Sequence, residues 1–133
     1  MAEALFRVAA QAAGGENFEV ASAGISAIEG SAASIRSVEA LKDLGINLSG
    51  FHSQPVTEKL VDECAAIFVM TADHRHLLEI FFPKTAGKTF LMREFTSAPG
   101  DISDPIGAGI ETYRRCRDSI KDCIPSILDF LQK

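Results

Sequence analysis

The apolar residues of this chain repeat at helical spacing in some segments and form short continuous runs in others. Recurrence three and four positions apart predicts helices over residues 1–12, 31–44, 57–64 and 71–82, and from residue 110 onward. Short β-prone runs predict strands over residues 18–21, 65–70 and 89–92. Because strands and helices alternate along the chain, the pattern predicts an α/β protein with a parallel sheet.

Turn-forming and capping residues mark the ends of these elements. Gly45 closes the second predicted helix, and Thr57 is placed to cap the third. Pro83 ends the fourth helix, and Pro125 is expected to bend the last one or to interrupt its hydrogen bonding. The run at residues 65–70 is apolar throughout, which is typical of a central strand buried on both faces.

The length and composition are those of one globular domain. The chain has 133 residues, 47% hydrophobic and 23% charged, so residues 1–133 are expected to form a single domain. No apolar stretch approaches the roughly 18 residues of a membrane span, and neither a span nor a signal peptide is predicted. The net charge of −5 disfavours nucleic acid as a partner. Three cysteines at no metal-ligand spacing predict no disulfide framework and no metal site, and they favour a reducing, cytoplasmic setting.

Two loops that follow predicted strands carry candidate functional groups, because parallel sheets bind ligands beyond the carboxyl ends of their strands. In the loop at residues 101–107, Asp104 stands before a proline, which favours an extended backbone there. Asp104 is interpreted either as a general acid or base or as a solvated Asx turn, and spacing alone favours the turn. Ser22, after the first predicted strand, is either a hydroxyl that supports a neighbouring loop or simply a strand end.

The histidines and cysteines give little sign of catalysis. His74 and His76 fall on different faces of a predicted helix, which is poor geometry for a shared metal ion, and both are expected to be solvated. His52 lies in a polar loop, and the chain has no Gly-x-Ser-x-Gly motif. No glycine-rich nucleotide-binding motif is present. Cys116 and Cys123 are expected to pack as small apolar residues of the last helix, and Cys64 adjoins a predicted buried strand. None of the three is expected to be an activated thiolate.

Several short motifs occur in a characteristic order. They are Met1-Ala2-Glu3-Ala4-Leu5-Phe6-Arg7, Ser22-Ala23-Gly24, Val69-Met70-Thr71 and Asp104-Pro105-Ile106-Gly107, followed by Tyr113 and Arg117. In this order they resemble the low-molecular-weight protein tyrosine phosphatases, over essentially the whole chain. The resemblance looks closest to the bacterial branch that includes protein arginine phosphatases, where a loop similar to residues 99–105 precedes the last helix. It implies a three-layer α/β/α fold with a small parallel sheet, and hydrolysis of phosphoproteins or small phosphomonoesters.

The resemblance also implies a cysteine-dependent mechanism that needs no metal or cofactor. In this family a loop of the form Cys-x-x-x-x-x-Arg-Ser-Pro precedes the first helix. Its thiolate attacks phosphorus, its arginine holds the phosphoryl oxygens, and an aspartate protonates the leaving group. By resemblance Asp104 is the general acid and Ser22 braces the phosphate loop. The 133 residues contain no Cys-x-x-x-x-x-Arg, so this chain has no nucleophile of that kind and is expected to be inactive as given.

The family pattern includes a central first strand that this sequence lacks. In the family that strand lies between those at residues 18–21 and 65–70, and its loss would leave an opening of roughly 9.5 Å, or two strand spacings. Exposed edges of this kind invite a neighbouring chain, so a homodimer or strand exchange is one expectation. A free ammonium at Met1 would also lie at the positive end of the first helix. We therefore expect an N-terminally truncated phosphatase-like domain, in which Met1 is a misassigned start or the boundary of a fragment.

Substrate preference and two alternative functions stay open. Tyrosine-directed members carry an aromatic residue just after the Asp-Pro pair, and Ile106 stands there instead. This weakens the phosphotyrosine interpretation but does not decide between phosphotyrosine and phosphoarginine. The first alternative to an enzyme is a non-catalytic remnant that binds partners through an exposed sheet edge. An arsenate reductase ranks third, because that activity needs accessible resolving cysteines.

Overall fold

The structure is a computed structural model that describes residues 1–14, 18–25, 30–48 and 50–132. The helices and strands in these ranges, in chain order, are α1 (Ala2–Ala12), α2 (Ile35–Lys42), α3 (Glu58–Glu63), β1 (Ile67–Val69), α4 (Ala72–Phe81), a 3₁₀ turn (Pro83–Thr85), β2 (Thr89–Leu91) and α5 (Ile110–Leu131). The alternation of helices with parallel strands confirms the predicted α/β class.

The two strands lie side by side in parallel, with Ile67 opposite Thr89 and Val69 opposite Leu91. Helix α4 and the 3₁₀ turn form the crossover that a parallel connection requires. Within the described ranges the sheet has only these two strands, so β1 is paired along one edge. The expectation that β1 is buried on both faces in a central position is therefore wrong. Its three residues are only half-buried, because one edge has no strand beside it.

Residues 18–21 form no strand, contrary to the prediction. A strand requires main-chain pairing with a neighbour, and no described main-chain group pairs with this segment. Side chains of α1 hold it instead. Arg7 Nη2 donates to the carbonyl of Val20 at 2.8 Å, and Phe6 packs edge-on against Phe18 with ring centroids 6.1 Å apart.

The main core lies among α1, α2 and α5. Its buried side chains include Leu5, Ala10, Leu41, Ile120, Ile124 and Ile127. The sheet joins this core through Phe68 and Phe90, whose rings are 5.8 Å apart, and Phe90 packs edge-on against Phe130 of α5 at 5.0 Å. Helix α4 packs against both strands. Burial of these apolar surfaces is the main stabilising contribution, and it fixes where the loops leave the sheet.

Side-chain caps and glycine set the helix ends. Helix α2 begins at Ile35, four residues later than predicted, because Ser34 caps it by accepting a hydrogen bond from the amide of Ser37 at 3.2 Å. Thr57 caps α3 in the same way, as predicted. The predicted end of α2 near Gly45 is also confirmed, since Gly45 adopts a φ of 73°, which favours glycine.

Helix α5 is continuous over 22 residues with Pro125 inside it, so the proline does not end the helix and affects only its hydrogen bonding, as expected. Proline removes the hydrogen bond to the carbonyl four residues earlier, which belongs to Lys121. Both Pro125 and Lys121 lie on the exposed side of the helix, where water can satisfy that carbonyl. Neither α5 nor any other helix in the described part of the chain is long and apolar enough to cross a membrane.

Candidate active site

The loop that contains the Asp-Pro pair is fastened to the carboxyl end of the sheet. The amide of Ile102 donates to the carbonyl of Met70, one residue beyond β1, at 2.8 Å. The side chain of Ile102 is buried in the main core. The loop therefore passes over the edge of the sheet where parallel folds bind their ligands.

Asp104 lies two residues beyond this anchor, with its carboxylate exposed to solvent. Its Oδ1 accepts a hydrogen bond from the amide of Ile106 at 3.0 Å, which is the Asx turn that the spacing favoured. The turn continues with a bond from the amide of Ala108 to the carbonyl of Pro105 at 2.9 Å. The turn and a general acid are compatible, because the turn engages one carboxylate oxygen and leaves the group open to solvent. The general-acid role stays a prediction.

The amino end of α1 and the Asp104 loop both lie close to Cys116. The thiol of Cys116 donates to the carbonyl of Ser103 at 3.8 Å. Burial raises the pKa of Cys116, the Met1 ammonium opposes this, and the Asp104 carboxylate adds to it. Burial likewise lowers the pKa of the Met1 amino group, against the charges of Cys116 and Glu3. The Met1 ammonium at the amino end of α1 and the Asp104 carboxylate thus act on the same thiol, in opposite directions.

Ser22 is tied to α1 rather than free in its loop. Its hydroxyl donates to Glu3 Oε1 at 2.8 Å, and Glu3 Oε2 pairs with Arg7 at 3.2 Å. Gln54 Nε2 donates to the carbonyl of Ser22 at 3.0 Å, and the amide of Gly24 donates to the carbonyl of Gln54. The Ser22 loop is therefore held against the first turn of α1. The role of the Ser22 hydroxyl in bracing a phosphate loop stays a prediction.

The remaining candidates are placed as the sequence predicted. His74 and His76 are exposed on α4, and His52 is exposed in its loop. Cys123 is buried in α5, and burial raises the pKa of its thiol. The thiol of Cys64 is half-buried and donates to the carbonyl of Val61. Burial of Cys116 and Cys123 stabilises their thiols rather than thiolates, which gives no support to the arsenate reductase alternative.

The described ranges bring together no three His, Cys, Asp or Glu side chains as metal ligands would be. The motif residues Tyr113 and Arg117 are buried in α5. The guanidinium of Arg117 donates from Nη1 to the carbonyl of Ala40 and to Asp43, each at 2.8 Å. Through Arg117, this part of the motif therefore joins α5 to the carboxyl end of α2.

Two residues near the site were missed as functional candidates. Glu3 accepts the hydroxyl of Ser22, although the sequence showed it only as part of the first motif. Asp101 Oδ1 accepts a hydrogen bond from the amide of Ala72, the first residue of α4, at 3.0 Å. The available signal was a second carboxylate three positions before Asp104, but nothing in the sequence indicated that it would reach α4.

Comparison with known proteins identifies the family. The sequence model of the low molecular weight phosphotyrosine protein phosphatases matches residues 1–133. A protein-arginine-phosphatase of Geobacillus stearothermophilus is 37% identical over 115 residues, which is 86% of this chain and 77% of that protein. The protein-arginine-phosphatase of Bacillus subtilis is 34% identical over 134 residues, which is 100% of this chain and 88% of that protein.

The fold matches as well. The crystal structure of a YwlE mutant from Bacillus subtilis superposes with a TM-score of 0.92 at 33% identity, covering 99% of this chain and 88% of that one. This chain therefore belongs to the low molecular weight phosphotyrosine protein phosphatase family, whose members are hydrolases that act on phosphoproteins. The resemblance drawn from the motifs, including the likeness to the arginine phosphatase branch, is confirmed.

Proposed function

We propose that this chain forms the body of a cysteine-dependent protein phosphatase in which Asp104 is the general acid and Ser22 supports the phosphate loop. The observation that carries the proposal is the placement of Asp104. Its loop is fastened to the carboxyl end of β1 through Ile102, its carboxylate is exposed, and both this carboxylate and the Met1 ammonium at the amino end of α1 influence the pKa of Cys116. A positive helix end favours a phosphate group there, and a nearby carboxylic acid can protonate what leaves it.

The reaction proceeds in two balanced steps. A cysteine thiolate forms a bond to phosphorus while the bond from phosphorus to the leaving oxygen or nitrogen breaks, and Asp104 transfers its proton to that leaving atom. Asp104, now a carboxylate, then takes a proton from water as the water oxygen attacks phosphorus and releases the cysteine thiolate. Phosphate leaves, and the aspartic acid is regenerated. No metal or cofactor takes part in this scheme.

The nucleophile of this scheme is not among the 133 residues. Six positions after Cys64, Cys116 and Cys123 stand Met70, Asp122 and Asp129, and none of these is arginine. Burial also raises the pKa of the thiols of Cys116 and Cys123, which lowers their nucleophilicity at neutral pH. We therefore propose that these residues alone do not hydrolyse phosphoproteins, and that activity requires a Cys-x-x-x-x-x-Arg loop ahead of α1.

For the substrate we propose phosphoarginine in preference to phosphotyrosine. The arginine phosphatases of two bacilli are among the relatives of this chain. Ile106, directly after the Asp-Pro pair, is 80% exposed and offers no ring to stack on a phenol. The leaving atom protonated by Asp104 would then be a guanidinium nitrogen.

We also propose a reducing, cytoplasmic setting, which the three free thiols support. Nothing in the part of the chain that the structure describes supports the expected homodimer or strand exchange, and neither belongs to the proposal. A binding module without activity is the outcome that would replace the enzyme.

The direct test measures phosphatase turnover that vanadate inhibits, and it compares two proteins. The first is the 133-residue chain, and the second carries a strand and a Cys-x-x-x-x-x-Arg-Ser-Pro loop, taken from the Bacillus subtilis relative, ahead of Met1. We call the second protein the loop-restored enzyme. Its matched control has serine in place of the added loop cysteine. Substrates are a phosphoarginine peptide and a phosphotyrosine peptide of the same sequence.

We expect no turnover by the 133-residue chain, turnover of both peptides by the loop-restored enzyme with phosphoarginine preferred, and none by the serine control. Turnover by the 133-residue chain would reveal a nucleophile among its own residues and contradict the mechanism. A folded but inactive loop-restored enzyme would favour the binding module instead.

A further inference from the structure

We propose that Asp101 is a positioning residue for the general acid Asp104. The inference rests on the proposed function and names a part of the site that acts through another residue. Asp101 holds the amino end of α4, and the same loop carries Asp104 three residues later. Loss of the Asp101 contact is expected to displace Asp104 and to slow leaving-group protonation.

The side chain of Asp101 completes the first turn of α4. The amide of His74 is capped by the hydroxyl of Thr71 at 3.1 Å, and the amide of Arg75 bonds to the carbonyl of Thr71. The amide of Ala72 is left for a partner from outside the helix, and Asp101 Oδ1 accepts it at 3.0 Å. A carboxylate is well suited to this place, because the amino end of a helix carries partial positive charge.

The main chain around Asp101 is held at the ends of both strands. The guanidinium of Arg93, two residues after β2, donates from Nη1 to the carbonyl of Asp101 at 3.2 Å. The next amide, that of Ile102, donates to the carbonyl of Met70 after β1 at 2.8 Å. Residues 101 and 102 therefore form the anchor of the loop. Of the two, Asp101 contacts α4 through its side chain.

The carboxylate of Asp104 has weaker support of its own. It accepts one hydrogen bond, from the amide of Ile106 inside its own turn at 3.0 Å, and it is exposed to solvent. A turn that is bonded to itself moves as a unit. Its placement over the sheet edge therefore depends on the anchor that precedes it and on α5, which follows it. A general acid must stay within hydrogen-bond reach of the leaving atom, so a displaced turn costs rate at that step.

The first experiment uses the 133-residue chain and does not depend on activity. Amide chemical shifts and hydrogen exchange are measured for Ala72, Ile102 and Ile106 in the unmodified chain, Asp101→Ala, Asp101→Asn and Asp73→Ala. Asparagine keeps an oxygen that can accept the Ala72 amide. Asp73→Ala is the matched control, because it removes an exposed carboxylate from the same turn of α4 without touching the loop. Only Asp101→Ala should move the signals of both Ala72 and Ile106. An Ile106 signal unchanged in Asp101→Ala would overturn the proposal.

The second experiment measures the loop-restored enzyme with two aryl phosphates, one with a good leaving group and one with a poor one. Asp101→Ala should slow the poor substrate by roughly 10- to 100-fold and leave the good one within about threefold, since a good leaving group needs little protonation. Asp101→Asn should recover most of the lost rate, and Asp73→Ala should match the parent enzyme. In an Asp104→Asn background, Asp101→Ala should cost nothing further, because the two residues act at one step.

The outcomes separate this inference from the proposed function. An Asp104→Asn enzyme that keeps its full rate would contradict the proposed function. A second outcome is that Asp104→Asn is slow but Asp101→Ala loses rate equally on both substrates. This outcome would show that Asp101 serves folding alone, and it would overturn the inference. The Tm of each variant is also measured, because a large fall in Tm would indicate a general loss of structure.

Discussion

The amide of Ile102 donates a hydrogen bond to the carbonyl of Met70 at 2.8 Å, and this contact fixes the Asp-Pro loop at the carboxyl end of β1. It joins two parts of the chain that lie 32 positions apart, and the burial of the Ile102 side chain supports it. The Asp-Pro loop is thus anchored to the sheet through Ile102, and Asp104, two residues later, is exposed.

Replacement of Ser22 by alanine tests the link between the first motif and the second. The variant loses the hydroxyl that donates to Glu3 at 2.8 Å, and its free energy of unfolding is expected to fall by roughly 1 kcal/mol. Chemical denaturation of the 133-residue chain measures this. Ser97→Ala, at an exposed loop position, is the control and should be neutral. Equal stability of the two variants would show that the Ser22 contact contributes nothing.

The ion pairs of Asp43 predict a pH dependence of stability. Its Oδ2 accepts hydrogen bonds from Arg114 Nε and Arg117 Nη1, each at 2.8 Å, and the bond from Arg114 is the main cause that lowers the pKa of Asp43 in the folded chain. A lowered folded-state pKa stabilises the protein above the ordinary carboxyl range, and the benefit is lost as the pH falls below about 4 and through the folded-state pKa.

Asp43→Asn should therefore lower Tm at pH 7, and the gap between variant and parent should narrow as the pH falls below about 4. The measurement is a series of thermal unfolding curves from pH 7 to pH 3. Asp73→Asn, on the exposed side of α4, should show no such convergence. A gap for Asp43→Asn that is constant with pH would contradict the assigned ion pairs.

The core position of Ile127 predicts a large loss of stability on truncation. Ile127 is 0% exposed in α5, so Ile127→Ala should lower the free energy of unfolding by about 2–5 kcal/mol through lost burial and a cavity. Ile35→Ala is the matched control, because Ile35 is 77% exposed in α2 and its truncation should change stability by no more than about 0.5 kcal/mol. Similar values for the two variants would mean that the core is wrongly placed.

The exposure of Ile106 predicts that substrate preference can be shifted there. In the loop-restored enzyme, Ile106→Phe should lower KM for a phosphotyrosine peptide by roughly 2- to 10-fold, the range expected for one aromatic pair. KM for the matching phosphoarginine peptide should change less. Ile106→Leu supplies the same apolar character without a ring and should change neither. An equal effect of phenylalanine and leucine on phosphotyrosine would exclude ring stacking as the cause.

Periodicity predicted the helices well because each is defined by contacts within a few residues. Thr57 and Gly45 mark real helix ends, and α5 begins at Ile110 as its apolar spacing indicated. The failures have non-local causes. Residues 18–21 have strand-forming side chains, but a strand needs a neighbour, and no local pattern reports whether one is present. Pro125 removes one hydrogen bond of α5, as expected, but the proline itself does not reveal that its turn is exposed and that the helix continues through it.

The sequence predicted the candidate site only in part. Asp104 stood out because a proline follows it, and the order of motifs indicated the family. The contacts of Asp101 with Ala72 and of Ser22 with Glu3 join residues 29 and 19 positions apart. No sequence pattern predicts a contact at either separation. Such contacts are set by how the helices and the sheet pack, so they became visible only in the folded chain.

The central claim is that Asp104 is the general acid of a cysteine-dependent phosphatase, and leaving-group dependence tests it most directly. In the loop-restored enzyme, kcat of the parent and of Asp104→Asn is measured across a series of aryl phosphates of increasing leaving-group pKa. The account predicts that Asp104→Asn slows the poorest leaving groups by roughly 10²–10⁴-fold and barely affects the best, so that the dependence becomes steep. Parallel dependences with equal rates would contradict the account and remove Asp104 from the chemistry.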